Sequence, residues 1–236
     1  MAAKKSTTKK PTTTSVIDEP ASPKSELLTR SHLILCDGIR SVNSLAGLYA
    51  TAQKARGGGA PTHEEQDLLR AMVVMSGAAL DATLKRAIRD CLAKLTKCNS
   101  KAREEATKHI KRRILSSLDG RGGERLAQVM LSDNPRDEVV GFVIDDTTGD
   151  SLQSKDEVLK VVQLLGLEKV PIDGLQDAFE TRNQIIHEMD AVDAEKKGDK
   201  RRRQRKQETM TVHARSLLAV AAEILGRIDA ATNATD

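Results

Sequence analysis

The sequence predicts an all-α helical bundle, and three observations carry that expectation. Apolar residues recur every three or four positions over long stretches, the period of a helix with one buried face. The breaks between these stretches fall at glycine runs and N-capping signals rather than at the closely spaced turns of a β-protein. The core must also be built almost without aromatic residues, since the chain has no Trp, one Tyr and two Phe. Leu, Ile, Val, Ala and Met then fill the interior, which suits helix-on-helix packing, whereas strands draw on aromatic and β-branched side chains. At 236 residues the chain has the length of one ordinary domain with extensions.

Residues 1 to about 24 are Lys, Thr, Ser and Pro with little apolar content, and read as a disordered basic tail. The opening MAAKKSTTKKPTTTS lacks the apolar middle segment of a secretory signal. From Ser25 to about Lys54, residues Leu28, Leu35, Ile39, Val42, Leu45 and Tyr49 follow helical spacing, and Gly57-Gly58-Gly59 ends the run. Thr62 and Glu65 form a capping box, with Pro61 just outside. The helix opened there carries Leu69, Val73, Leu80, Leu84, Ile88, Cys91 and Leu95 on one stripe to about Lys97. That is about 52 Å at 1.5 Å per residue, the length of a bundle's spine. Gly77, Ala78 and Ala79 in its middle allow another backbone to approach closely.

Residues 101–118 predict a shorter, charged helix ended by Gly120, Gly122 and Gly123. The stretch from about 120 to 153 reads as an irregular insertion. In it GERLAQVML is helical, Asn134-Pro135 breaks the pattern, and VVGFVID (139–145) is a short strand or buried loop. Ser154 and Glu157 form a second capping box, opening a helix to about Leu165. Pro171 and Asp173 introduce the next helix, and Met210 to Ile228 forms the last through Leu217, Leu218, Ala221, Ile224, Leu225 and Ile228. No internal repeat appears, so residues 25–236 are expected to form a single helical domain.

Several function classes are bounded by composition. No apolar stretch approaches the ~20 residues of a bilayer span, so no membrane partner is expected. Cys36, Cys91 and Cys98 lack metal-ligand spacing and read as reduced thiols of a soluble, cytoplasmic protein. No metal and no cofactor is expected.

One segment stands apart. It runs from Asp173 through Arg182, Asn183 and His187 to Met189. At 100° per residue, Leu175, Ala178, Phe179, Ile185, Ile186 and Met189 share a face with Arg182 at its centre. Asn183 and His187 stand one turn apart on its flank. A guanidinium in a buried stripe costs several kcal/mol unless it is paired or faces a wet cleft. Spacing alone favours a structural role, with Arg182 ion-paired to an acid such as Asp81 and His187 at the bundle edge. The full Arg-Asn-x-x-x-His pattern is nevertheless expected only about 0.01 times by chance at this composition.

Arg182-Asn183-Gln-Ile-Ile-His187 resembles the Arg-Asn-x-x-x-His signature of the HEPN superfamily of prokaryotic toxins, phage-defence nucleases and some eukaryotic ribonucleases. The long helix with Gly77-Ala-Ala-Leu-Asp81 is similar to the family's earlier core helix, where an acidic residue often sits. Small two-component toxins of the family often carry Tyr two residues after the His, where this chain has Met189. That departure and the insertion point towards a larger defence-type relative.

The resemblance implies a metal-independent endoribonuclease with Arg182, Asn183 and His187 as catalytic residues, two motifs meeting across a homodimer, and an antitoxin or defence-system protein as a possible partner. The residue types suit the chemistry. A group titrating near pH 6–7 can move the proton of the RNA 2′-hydroxyl, and His has that property. A permanent cation with a fork of donors matches a phosphate in its transition state.

A second cue is the run from Lys196 to Lys206, in which Lys196, Lys197, Lys200, Arg201, Arg202, Arg203, Arg205 and Lys206 are basic. These are candidate RNA-binding residues through phosphate neutralisation, and equally a solvated linker. Aromatic stacking cannot read bases in a chain so poor in aromatics. The competing functional classes are a non-catalytic helical RNA-binding or dimerisation module and a basic scaffold for DNA or another protein.

Overall fold

The computed structural model describes residues 17–113, 116, 119–172, 174–192 and 201–233. A short 3₁₀ turn, Glu26–Leu28, leads into α1 (Thr29–Arg56), followed by α2 (His63–Cys98), α3 (Ser100–Arg113), α4 (Arg121–Leu131), α5 (Pro135–Gly149), α6 (Lys155–Leu164), α7 (Leu175–His187) and α8 (Gln207–Asn233). Among the described residues there is no strand, only one isolated antiparallel bridge between Ala191 and Arg202. The fold is all-α. No helix among the described residues is long and apolar enough to cross a membrane.

The spine is α2, 36 residues long. Its capping box forms as the sequence predicts. Thr62 Oγ1 accepts from Glu65 N at 3.3 Å, and Glu65 Oε2 accepts from Thr62 N at 2.9 Å. Arg56, in the last turn of α1, donates from Nε to the same carboxylate at 3.0 Å, while its Nη1 holds the carbonyls of Gly58 and Gly59. The glycine turn is thus stapled to the start of the spine. The stripe from Leu69 to Leu95 is fully buried, and α1 and α8 pack along it. α3, α5 and α7 pack against other parts of α2.

The small residues of α2 act within the chain. A Cβ added at Gly38 of α1 would lie 2.3 Å from the Cβ of Ala79, so the two backbones are in close approach there. Gly77 makes room for the side chain of Arg182, and of the three small residues only Ala78 is exposed.

Three expectations need correction. Residues 17–24 are not part of a disordered tail. Asn43 exchanges two hydrogen bonds with Ile17, Glu19 pairs with Arg40, and Asp229 of α8 accepts from the backbone of Lys24 and Ser25. The remainder of that tail, 1–16, lies outside the described residues.

The 120–153 segment is not irregular, because it folds as α4 and α5. VVGFVID is helical, since Pro135 sits in the first turn and Asp137 and Glu138 follow it there. Val140 and Val143, three apart, then face the core. A short apolar run cannot be assigned to strand or helix by periodicity alone.

The charged helix α3 is described over Ser100–Arg113, and residues 114, 115, 117 and 118 of the expected helix lie outside the described residues. The second capping box is half formed: Ser154 Oγ accepts from Glu157 N at 3.1 Å, but Glu157 turns its carboxylate to Lys160.

The Gly38 contact generates a paired stability prediction. Gly38→Ala should lower stability by about 1–3 kcal/mol through overpacking against Ala79. Gly47→Ala, on the solvent side of the same helix with nothing within 4 Å of the added carbon, should raise it by about 0.5–1 kcal/mol. Urea denaturation of the two variants checks the contrast.

Candidate functional site

The helix α7 begins at Gly174, whose left-handed φ of 81° turns the chain into it. Leu175, Ala178, Phe179 and Ile185 are buried. The buried stripe is narrower than the helical projection predicts. Ile186 lies at its outer edge and is 36% exposed. Met189 falls beyond the helix end, with φ of 50°, and is 67% exposed. The projection cannot apply to a residue past the last turn.

Arg182 is buried, only 8% exposed, and its side chain runs over Gly77. Its Nη1 donates to Asn183 Oδ1 at 3.0 Å, while its buried Nε has no hydrogen-bond partner among the described residues. The direct ion pair with Asp81 is not formed. Asp81 Oδ1 accepts from the backbone of Leu152 at 2.7 Å, and Oδ2 pairs with Lys85 at 3.1 Å. Desolvation pulls the Arg182 pKa down, and the field of Asp81 opposes that shift from a distance. Asn183 is half-buried, and His187 is exposed at the last residue of the helix. The motif therefore has a dry end, the guanidinium, and a wet end, the imidazole. On the opposite flank of α7, Thr181 Oγ1 meets His213 Nε2 of α8 at 3.4 Å, and burial holds that histidine below its ordinary value.

The turn after His187 is unusual. Met189 and Asp190 both have positive φ, 50° and 59°, a conformation that costs a non-glycine residue roughly 1–2 kcal/mol. A buried charge cluster holds it. The Asp190 carboxylate, with no exposed surface, accepts from Arg70 Nε of α2 at 2.7 Å and from Arg205 Nε at 3.1 Å. Arg205 Nη2 also donates to Gln184 Oε1 of α7 at 2.9 Å, and Gln66 of α2 bonds the Arg205 backbone in both directions. Arg70 Nη2 donates to the Arg203 carbonyl at 2.8 Å.

This arrangement redistributes the basic run. Arg202 pairs with Asp67 at 2.7 Å, Arg203 with Glu188 at 3.1 Å, and Arg205 with Asp190. Those three guanidinium groups are committed to carboxylates of the same chain, while Arg201 and Lys206 are exposed. Lys196, Lys197 and Lys200 lie outside the described residues. Neutralising Arg202, Arg203 or Arg205 would therefore also remove contacts of the fold.

Asp190, Arg70, Gln66 and Gln184 are the residues that sequence reasoning missed. A signal for Arg70 was present. It shares a face of α2 with Gly77 and Leu84 at seven-residue spacing, a cation on an apolar stripe like Arg182. Among the described residues, no group of three or more His, Cys, Asp or Glu could hold a metal ion.

Removing one partner of a buried ion pair leaves its charge uncompensated. Asp190→Ala should therefore cost about 3–5 kcal/mol in chemical denaturation. Arg182→Met should be neutral or stabilising in the same assay, because it deletes a buried charge whose Nε is unpartnered. A large loss of stability in Arg182→Met would show the guanidinium to be a structural group.

No protein-family model, curated protein or solved structure matches this chain.

Proposed function

We propose that this chain is a metal-independent endoribonuclease of HEPN type, acting as a toxin or phage-defence effector. One observation carries the reading: Arg182 is buried with an unpartnered Nε and donates to Asn183, which stands one helical turn before the exposed His187. A purely structural site would be served as well by Leu or Met at 182.

In the reaction, the ribose 2′-oxygen forms a bond to the adjacent phosphorus while the bond from phosphorus to the 5′-oxygen breaks. The proton of the 2′-hydroxyl passes to a base, and the departing 5′-oxygen takes one from an acid. His187 serves in one of these roles, and its counterpart from a second copy of the chain supplies the other. Arg182 and Asn183 face the phosphorane, whose extra negative charge a guanidinium offsets. The exposed Ile186 and Met189 beside His187 give a second copy an apolar surface to cover. A non-catalytic dimerisation module is the alternative, favoured by Arg182 donating to its own neighbour Asn183.

Purified protein is expected to cleave RNA in EDTA, leaving 2′,3′-cyclic phosphate and 5′-hydroxyl ends, with DNA uncut. His187→Ala should lose about 10²–10⁴-fold of the rate without unfolding. Arg182→Ala should be comparably inactive, and expression of the wild-type chain, but not His187→Ala, should arrest bacterial growth. Sedimentation should show a dimer at micromolar concentration. A requirement for Mg²⁺, 5′-phosphate products, or activity surviving in both variants would sink the mechanism.

A further inference from the structure

α3, α5 and α6 enclose a cleft lined by charges of both signs, and one of these charges fastens α4 beside it. Arg125 of α4 pairs with Asp146 of α5 at 2.9 Å and lies over the Phe142 ring. On the same side of α4, Gly122 is buried and Leu126 and Val129 are half-buried. This side packs on α5.

The rest of the helix does not follow from that packing. At 100° per residue, Gly122, Leu126 and Val129 span roughly 60° of its circumference. The apolar arc continues through Met130, Gly123 and Ala127 to Leu131, roughly 200° in all. Met130 is 75% exposed and Leu131 88%, the two most exposed large apolar side chains among the described residues. Ala127 is exposed as well. Single apolar side chains at a surface need no cause, whereas a contiguous stripe marks a contact. A stripe of about 100° is enough to join a helix to its own core. The second half of the arc is left for another surface.

The grading of α4 along its length says what that surface is. The exposed stripe is small at its start, with Gly123 and Ala127, and large at its end, with Met130 and Leu131. Arg121 is exposed before the small end and Asp133 after the large end. A helix graded in this way is complementary to itself run in the opposite direction. About a two-fold axis at Ala127, Leu131 of a second copy meets Gly123, and Arg121 of each copy comes level with Asp133 of the other. Large side chains then fill the space that small ones leave, and the end charges attract. A parallel pairing would set Leu131 on Leu131 and Asp133 against Asp133.

We propose that α4 is a docking surface for a second copy of this chain, through an antiparallel, isologous contact of α4 with α4 centred on Ala127. The contact is separate from the pairing of motifs proposed above and does not rest on it. Two different two-fold contacts on one chain build assemblies larger than a dimer. A helix of 11 residues buries less than a standard interface. The contact is therefore weak, with half-association at roughly 0.1 mM.

The test is sedimentation equilibrium of the full chain across concentrations up to about tenfold above that value. The average mass should rise through the upper part of the range. Leu131→Glu alters a side chain already in water, so it should keep the wild-type melting temperature while weakening this association at least about tenfold. Asp133→Arg should weaken it too, and adding Arg121→Asp should restore it, a pattern that a general change in solubility does not produce. Met189→Glu, on the apolar surface beside the motif, should leave this step unchanged, so failure of the motif pairing does not touch the α4 contact. Ala127→Cys should form an intermolecular disulfide at least about tenfold faster than Gln128→Cys on the polar side of α4, with the wild-type chain as the blank for its own thiols. A mass that stays constant through the upper range overturns the proposal, as does Leu131→Glu associating like the wild type. Equal cross-linking at 127 and 128, or no recovery in the double charge reversal, overturns the antiparallel register on which it stands.

Discussion

The carboxylate of Asp190, buried between the guanidinium groups of Arg70 and Arg205, joins three parts of the chain that sequence keeps far apart. Arg70 belongs to the spine, Asp190 to the turn after the motif helix, and Arg205 to the approach to the last helix. A buried charge left without its partner costs several kcal/mol, so each member of the cluster stabilises the others. The cluster also explains how two consecutive non-glycine residues sit in the left-handed region. Backbone strain persists only where its surroundings over-determine it, and here two guanidinium groups and Gln184 do so.

The consequence reaches His187. With the turn at 188–190 tied to α2 and to the residue pair Ala191 and Arg202, the last turn of α7 has a fixed exit. The imidazole is exposed, while the turn that follows it is held in place, as the proposed proton-transfer role would require. Arg182 is held differently. Gly77 leaves space for its stem, Asn183 takes one donor, and Asp81 balances charge without touching it.

Asp81 also connects the two polar regions of the molecule. Its Oδ1 anchors the backbone of Leu152, and Leu152 forms part of the floor of the cleft between α3, α5 and α6. One carboxylate thus acts on the buried guanidinium through its field and fixes a wall of that cleft. Helix α5 brings Asp146 to that cleft, and Arg125 of α4 pairs with it.

The sequence by itself determined the all-α class, the presence of α1, α2 and α8, the bounds and capping box of α2, and the conjunction of Arg182, Asn183 and His187 on one helix. These are local properties: a 3.6-residue period and a capping box are complete within a few turns of chain, and they survive whatever packs against them. It missed α5, because a short apolar run of valine and isoleucine satisfies strand and helix alike until a proline and two acids are seen as a helix start. It could not assign a partner to Arg182 or foresee the docking of residues 17–24. Nor could it tell that Arg202, Arg203 and Arg205 would turn inward. Arg70 and Asp190 are 120 residues apart, and no spacing rule links them. Which charge meets which was decided only by the tertiary structure, because burial strengthens ion pairs and makes unpaired charges costly only once the helices have closed around them.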